Sequence, residues 1–344
     1  MRGFMRDNVG WQYPSYAHSH TVHTLSIIVF IVHTHHTHLK GLPIMIISAS
    51  YKTDIPTFYG EWFMNRIRAG YCLMQNPYSR QTKRVSLLPQ DVQGIVFWTK
   101  NIGPMIKHLP ELRDRGYPFY IQHTLNNYPA ELEEKVIANK DMLAYYFAHI
   151  VKEYGPEVMI WRYDPILITS LTPENWHIRN VQGIARLLEG CTNEMVFSYE
   201  QTYEKTRRNT NLAASKGRFT WTPSEDIPLA QKQELATTLA ELASSYGMHV
   251  KACTQPEYLR QDQLITEARC ADLERLERVA EHNLAPIQQK GMRKDCRCFQ
   301  NVDIGEYDTC PHGCVYCYAT KDRLIALNRF KAHDPQGEYL FPPQ

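Results

Sequence analysis

Five of the nine cysteines in this 344-residue chain, Cys296, Cys298, Cys310, Cys314 and Cys317, fall within one short stretch. The last three are spaced Cys-x3-Cys-x2-Cys inside YDTCPHGCVYCYA. Thiolates are soft ligands, and three on a tight loop can hold three irons of a 4Fe-4S cube while the fourth iron stays open to an outside ligand. A closed zinc site needs four ligands, usually as two Cys-x2-Cys pairs, whereas this run offers three at unequal spacing. His312 is a conceivable fourth ligand, although its place inside the first gap makes simultaneous binding awkward. A disulfide framework fits poorly, because the chain is large and its cysteine count is odd.

Four further thiols, Cys253, Cys270, Cys296 and Cys298, precede the run. Four thiolates suit a second 4Fe-4S cluster or a tetrahedral zinc; the plainer reading is a chance cysteine at 270 and spare thiols at 296 and 298. Cys72 and Cys191 stand alone and read as packing residues.

The elements that must position these groups alternate strand and helix. Short apolar, β-branched and aromatic runs predict strands near 44–50, 94–99, 118–125, 157–163, 194–200 and 248–253. Helical stretches are expected near 57–69, 102–115, 130–153, 174–189, 228–246 and 266–282, with Pro173 and Pro228 near starts and Gly155, Gly190 and Gly247 near ends. Strands separated by helices imply right-handed crossovers and a parallel sheet. Polar groups recur at the strand ends: Thr53 and Asp54, Lys100 and Asn101, Gln122 and Thr124, Arg162 and Asp164, Ser198 and Glu200, and Cys253. A parallel (β/α) barrel, TIM-like or partial, gathers so many strand ends around one cavity, so this α/β class is expected. About half of these groups would be ordinary caps and loop contacts. No phosphate-cradling glycine-rich loop is present, which removes support for a dinucleotide fold.

Composition agrees with a large globular core: 43% of residues are hydrophobic and 22% charged. A net charge of +2 offers no global field for a polyanion or membrane surface, so nucleic acid is not supported. Residues 1–44 hold seven of the fifteen histidines and one apolar run, 25–32, too short to span a bilayer. This segment reads as a disordered or non-native leader rather than a signal peptide or metal-binding tract, with Met45 as the start of the folded chain. Residues 45–331 are expected to form a single barrel-like domain that includes the cysteine-rich segment 296–319, followed by a tail, 332–344.

The pattern Cys-x3-Cys-x-aromatic-Cys is met by Cys310, Cys314, Tyr316 and Cys317, with a short strand at 301–304 before it and a helix at about 320–331 after it. In these features the sequence resembles the radical S-adenosylmethionine superfamily. The resemblance implies that the three cysteines hold a 4Fe-4S cluster, that Tyr316 packs against the adenine of S-adenosylmethionine, and that reductive cleavage yields a 5'-deoxyadenosyl radical for hydrogen abstraction. Under it, Lys100, Gln122, Arg162, Asp164 and Glu200 become catalytic candidates. Asn101, Thr124, Ser198, Thr53 and Asp54 become cofactor-binding candidates. In the superfamily the signature follows the first barrel strand, whereas here it lies near the carboxyl end; a circular permutation seating the terminal strand beside the first would restore the order. The stretches SxSxxTDIP at 48–56, VFWTKN, QHTLN and WRYDPIL, with CPHGCVYCYA, also resemble an uncharacterised bacterial family with a carboxyl-terminal cysteine cluster, over about 45–331. That family usually carries two arginines where Tyr51 and Lys52 stand here, which puts binding of an anionic group at that place in doubt. A flavodoxin or ferredoxin reductant, a small-molecule or macromolecular substrate and a cytoplasmic setting without membrane contact complete the expectation. An iron-sulfur electron carrier and a zinc-stabilised binding module are the alternatives.

Overall fold

The computed structural model describes residues 44–76, 79–137, 139–291 and 293–343. The histidine-rich leader, with every reading placed on it, lies outside the described residues. In chain order the elements are β1 (Met45–Ala49), α1 (Ile55–Phe58), α2 (Gly60–Ala69), β2 (Tyr71–Gln75), β3 (Thr82–Ser86), β4 (Val92–Thr99), α3 (Gly103–Ile106), α4 (Leu109–Asp114), β5 (Phe119–Thr124) and α5 (Lys140–Tyr154). They continue with β6 (Met159–Ile166), α6 (Glu174–Leu188), β7 (Glu194–Tyr199), α7 (Glu204–Gly217), α8 (Leu229–Ser245), β8 (His249–Ala252), β9 (Ile265–Glu267), α9 (Leu273–Ala280), β10 (Asn301–Asp303) and α10 (Arg323–Lys331).

Eight strands form one parallel sheet in the order β10-β1-β4-β5-β6-β7-β8-β9, and β2 and β3 form a separate antiparallel hairpin. The chain's last strand is therefore the neighbour of its first, with Ile46 opposite Asn301 and Ser48 opposite Asp303. Because side chains alternate across a strand, the sheet has two apolar faces. Ile47, Phe97, Ile121, Trp161 and Phe197 lie on one, packed with Trp62, Phe147, Ile184 and Leu239 from the helices. Ile46, Val96, Tyr120, Ile160 and Val196 lie on the other, with Leu273 and Leu276 of α9 and with Cys253, Cys270 and Cys298.

The hydrogen-bonded ladder stops at β9 and β10, so a closed barrel is not formed by the strands themselves. The segments flanking those edges meet instead at one backbone bond, from Phe299 N–H to the Ala271 carbonyl, 2.9 Å.

Several elements differ from expectation. The helix expected from 130 starts at Lys140, where the Asn139 side chain accepts from Met142 N–H. The preceding residues form a loop whose backbone pairs with the cysteine run instead, so tertiary pairing overrides helix propensity there. The stretch at 266–282 divides into β9, whose Ile265 pairs with Val250, and α9, capped by Asp272. A helix that the sequence pattern does not mark, α7, carries the basic residues 207–216; only Thr206 and Thr210 of it are buried, so it lacks an apolar stripe. The hairpin has a polar second strand, TKRVS, which hid it. Among the described residues, no helix is long and apolar enough to cross a membrane.

A side chain on Gly94 would meet Leu276 Cδ2 at 2.5 Å and the Pro118 carbonyl at 2.9 Å, so the glycine is what lets α9 reach the sheet. Gly94→Ala is expected to cost about 1–3 kcal/mol by overpacking, and Leu276→Ala about 2–5 kcal/mol through the cavity left. Because the two share one space, urea unfolding of the double variant should show a loss smaller than the sum of the single ones.

Candidate functional site

The site begins where β10 ends. Asp303 is buried beside the end of β1, and its carboxylate accepts from Ser48 Oγ, Ser50 Oγ and Tyr51 N–H, each at 2.9 Å, and from Gly305 N–H at 3.0 Å. Lys52 Nζ stands 3.6 Å away. A Cβ on Gly305 would fall 1.9 Å from Ser50 Oγ, so a side chain there would break the approach. The two serines of the first strand thus bind the last strand and aim the chain into the cysteine loop.

Three elements hold that loop. Asp54 accepts from Thr57 N–H at 2.9 Å, Thr99 Oγ1 at 2.7 Å and Lys100 N–H at 2.8 Å, and His312 Nε2 lies 2.8 Å from its carboxylate. From the 129–136 loop, the Leu132 carbonyl accepts from Val315 N–H at 3.0 Å, and Lys135 N–H donates to the His312 carbonyl at 2.9 Å. From α7, Thr206 and Thr210 donate to the carbonyls of Tyr316 and Val315. Cys310, Cys314 and Cys317 are free, half-buried thiols. Burial pushes the Cys310 thiol up to about 12, with the Asp54 carboxylate adding to the shift while the backbone N–H groups of His312 and Asp54 oppose it. Burial likewise raises Cys314, against the pull of Lys100.

Beside the loop lies a buried polar knot. Lys100 Nζ is 2.8 Å from Glu133 Oε1 and 3.0 Å from the Tyr316 hydroxyl, which itself donates to Glu133. Asn126 Nδ2 reaches both Tyr316 and Glu133, at 3.3 and 3.4 Å. Asn126 also satisfies the backbone where β6 leaves its ladder, accepting from Asp164 N–H at 2.9 Å and donating to the Asp164 carbonyl at 3.1 Å. Pro165 follows and has no N–H to continue the pairing.

A second group lies on the sheet face that carries Tyr120, Ile160 and Val196. Arg162 Nε and Nη2 bind Asp164, while Nη1 reaches Gln122 Oε1 at 3.2 Å and Cys270 Sγ at 3.1 Å. Ser198 Oγ donates to the other Asp164 oxygen, and the guanidinium lies 5.0 Å from the Trp98 ring centre. Burial opposes the charge on Asp164, but Arg162 and Ser198 outweigh it and hold the carboxyl below its usual range.

Cys253 Sγ is 3.3 Å from Cys270 Sγ, and Cys298 Sγ accepts from Cys270 N–H at 3.1 Å, with Cys296 two residues before Cys298 in the chain. As these side chains stand, no group of three or more His, Cys, Asp or Glu among the described residues is arranged around a metal-sized centre.

The remaining sequence candidates take other parts. Asn101 Oδ1 accepts from Gly103 N–H in the turn that leads into α3. Thr53 is buried with an unpartnered hydroxyl, and Thr124 ends β5 half-buried. Glu200 accepts from Thr202 Oγ1 and Ser224 N–H; these bonds tie it to the 202–224 loop. Sequence reading missed Asn126, Glu133 and Asp303; Asn126 stood in the QHTLN stretch, but Glu133 was hidden inside an expected helix. A cavity of about 650 Å³ opens near the amino ends of β7 and β8, where Glu194 pairs with both Lys251 and Arg275 at 2.6 Å.

Compared with known proteins, residues 46–319 match the family described as Domain of unknown function (DUF1848). The chain belongs to that family. No curated protein matches it. Among solved structures, a candidate alpha-L-fucosidase from Bacteroides thetaiotaomicron VPI-5482 is similar at 10% identity and a TM-score of 0.29, over 70% of this chain and 96% of that one. A likeness that faint carries no argument about fold or activity.

Burial opposes the charge on Asp54, but the His312 contact and the Lys100 and Thr99 bonds hold its carboxyl below the usual range. A depressed folded value contributes stability above the unfolded value, about 3.9, that is lost as pH falls below it. Asp54→Asn should therefore cost about 1.5–3 kcal/mol at pH 7, and the gap to wild type should narrow below about pH 4 in urea titrations run at several pH values.

Proposed function

We propose that this protein is an iron-sulfur enzyme of the radical S-adenosylmethionine type. The observation that carries the reading is the Cys310, Cys314 and Cys317 loop: three free, half-buried thiols at the carboxyl ends of a parallel sheet, with the aromatic Tyr316 fixed among them. The donor set suits a 4Fe-4S cluster, since three thiolates leave one iron for an outside ligand. The N–H groups facing Cys310 and the Lys100 charge near Cys314 would offset the negative charge that thiolates bring. We read the sheet as a partial barrel whose inner face is the reaction space.

When bound, the cluster supplies one electron for reductive cleavage of S-adenosylmethionine to methionine and a 5'-deoxyadenosyl radical. The chain's own residues bind, orient and exclude water. Tyr316 is the residue that the resemblance assigns to the adenine, and its hydroxyl is tethered by Glu133 and Lys100, which fixes the ring. Asp54 and His312 hold the loop to β4 and α1. Arg162, Asp164, Ser198 and Gln122 form a preorganised polar floor for the substrate, each already oriented by another member of the group. Trp98 and Tyr51 pack edge to face beside it, 6.3 Å apart, and help to keep water from a radical. Cysteines without disulfides among the described residues fit a reducing, cytoplasmic setting with a flavodoxin or ferredoxin as electron source.

Anaerobic reconstitution should give a brown protein that, once reduced, changes its electron paramagnetic resonance spectrum with S-adenosylmethionine and releases 5'-deoxyadenosine. A reconstituted cluster with neither response would overturn the reading, as would a colourless protein that takes zinc alone at the loop. Tyr316→Phe removes the tether and should weaken S-adenosylmethionine binding about tenfold, with the iron content unchanged; an unchanged dissociation constant would exclude the positioning role.

A further inference from the structure

We infer that Cys253, Cys270, Cys296 and Cys298 form a second, mononuclear tetrahedral site, with zinc as its occupant, that joins the two edges of the sheet. The inference rests on other cysteines than the proposed function and stands or falls separately. Cys253 follows β8, Cys270 lies between β9 and α9, and Cys296 and Cys298 precede β10. Thiols from three separate segments thus come together near the place where the strand ladder is interrupted.

The spacing favours a single ion over a cube. Zinc–sulfur bonds of about 2.3 Å in a tetrahedron set neighbouring sulfurs about 3.8 Å apart. Cys253 Sγ and Cys270 Sγ stand 3.3 Å apart, Cys298 Sγ accepts from Cys270 N–H at 3.1 Å, and Cys296 is two residues from Cys298 in the chain. A 4Fe-4S cube takes one thiolate at each of four separate corners and would force these sulfurs well apart. A single ion requires the four side chains to turn toward one another, since as they stand they do not surround a metal-sized centre.

The surroundings are built for negative sulfur. Four thiolates around a divalent ion leave two negative charges. Cys298 Sγ accepts from Cys270 N–H at 3.1 Å and Ala271 N–H at 3.4 Å, and Arg162 Nη1 lies 3.1 Å from Cys270 Sγ. Hydrogen bonds of this kind to ligand sulfurs orient them and offset their charge. The segment carrying Cys296 and Cys298 folds back on itself, with Lys290 N–H bonded to the Cys298 carbonyl and Cys296 N–H to the Arg293 carbonyl. A Cβ on Gly291 would lie 2.0 Å from the Cys296 carbonyl oxygen, so this knuckle closes only around glycine.

The test uses the full chain with Cys310, Cys314 and Cys317 all changed to alanine, purified without added metal and checked for folding by circular dichroism. Elemental analysis should find about one zinc per chain and no sulfide, and adding Cys296→Ser and Cys298→Ser should remove it. A folded triple variant without metal, or one holding about four irons with sulfide, overturns the inference. A second measurement needs no variant: in wild type, half-buried Cys296 should resist alkylation until a chelator strips the zinc, as read by mass spectrometry. Equal labelling before and after chelation overturns the inference as well.

Discussion

The Asp303 carboxylate is the constraint on which the rest of the structure depends. It is buried, and its acceptor capacity is met by groups from both ends of the fold: the Ser48 and Ser50 hydroxyls and Tyr51 N–H from the first strand, and Gly305 N–H from its own turn. Burial raises this carboxyl above its usual range despite Lys52 and the hydrogen bonds. The arrangement therefore favours position over the stability of the charge. The loop bearing Cys310, Cys314 and Cys317 leaves this point directly, so an error in the β1–β10 register would displace every thiol in it.

The second organising feature is the use of one side chain to serve two elements. Asp54 caps α1 through Thr57 N–H and also takes hydrogen bonds from the end of β4 and His312 of the loop. Asn126 repairs the broken ladder of β6 and reaches into the Lys100–Glu133–Tyr316 knot. Such shared partners couple strand ends to the cysteine loop, and in a low-dielectric interior each bond is costly to lose.

Much of this was legible in the sequence where the signal was local. Apolar runs marked the parallel strands, and the Cys-x3-Cys-x2-Cys spacing marked the loop, because both depend on neighbours in sequence. Arg162 and Asp164 were legible as a pair for the same reason. Glu133 was not, because its role comes from backbone pairing with Cys314, far along the chain, and its own stretch mimics a helix. Asp303 was passed over because a lone acid before a cysteine loop resembles any strand end; only the two serines of β1 give it meaning. Helix α7 escaped because its buried positions are threonines that serve the loop rather than the core.

The pairing of β1 with β10 also sets an order of events during synthesis. Ser48 is made 255 residues before the Asp303 that will hold it. Until then, the β1 edge of the growing sheet has unpaired N–H and C=O groups, the kind of edge that recruits foreign strands. Contacts of such long range form late and slowly. The nascent chain therefore carries an open edge, and the thiol loop reaches its place only when that edge closes, so the site cannot mature on an unfinished sheet.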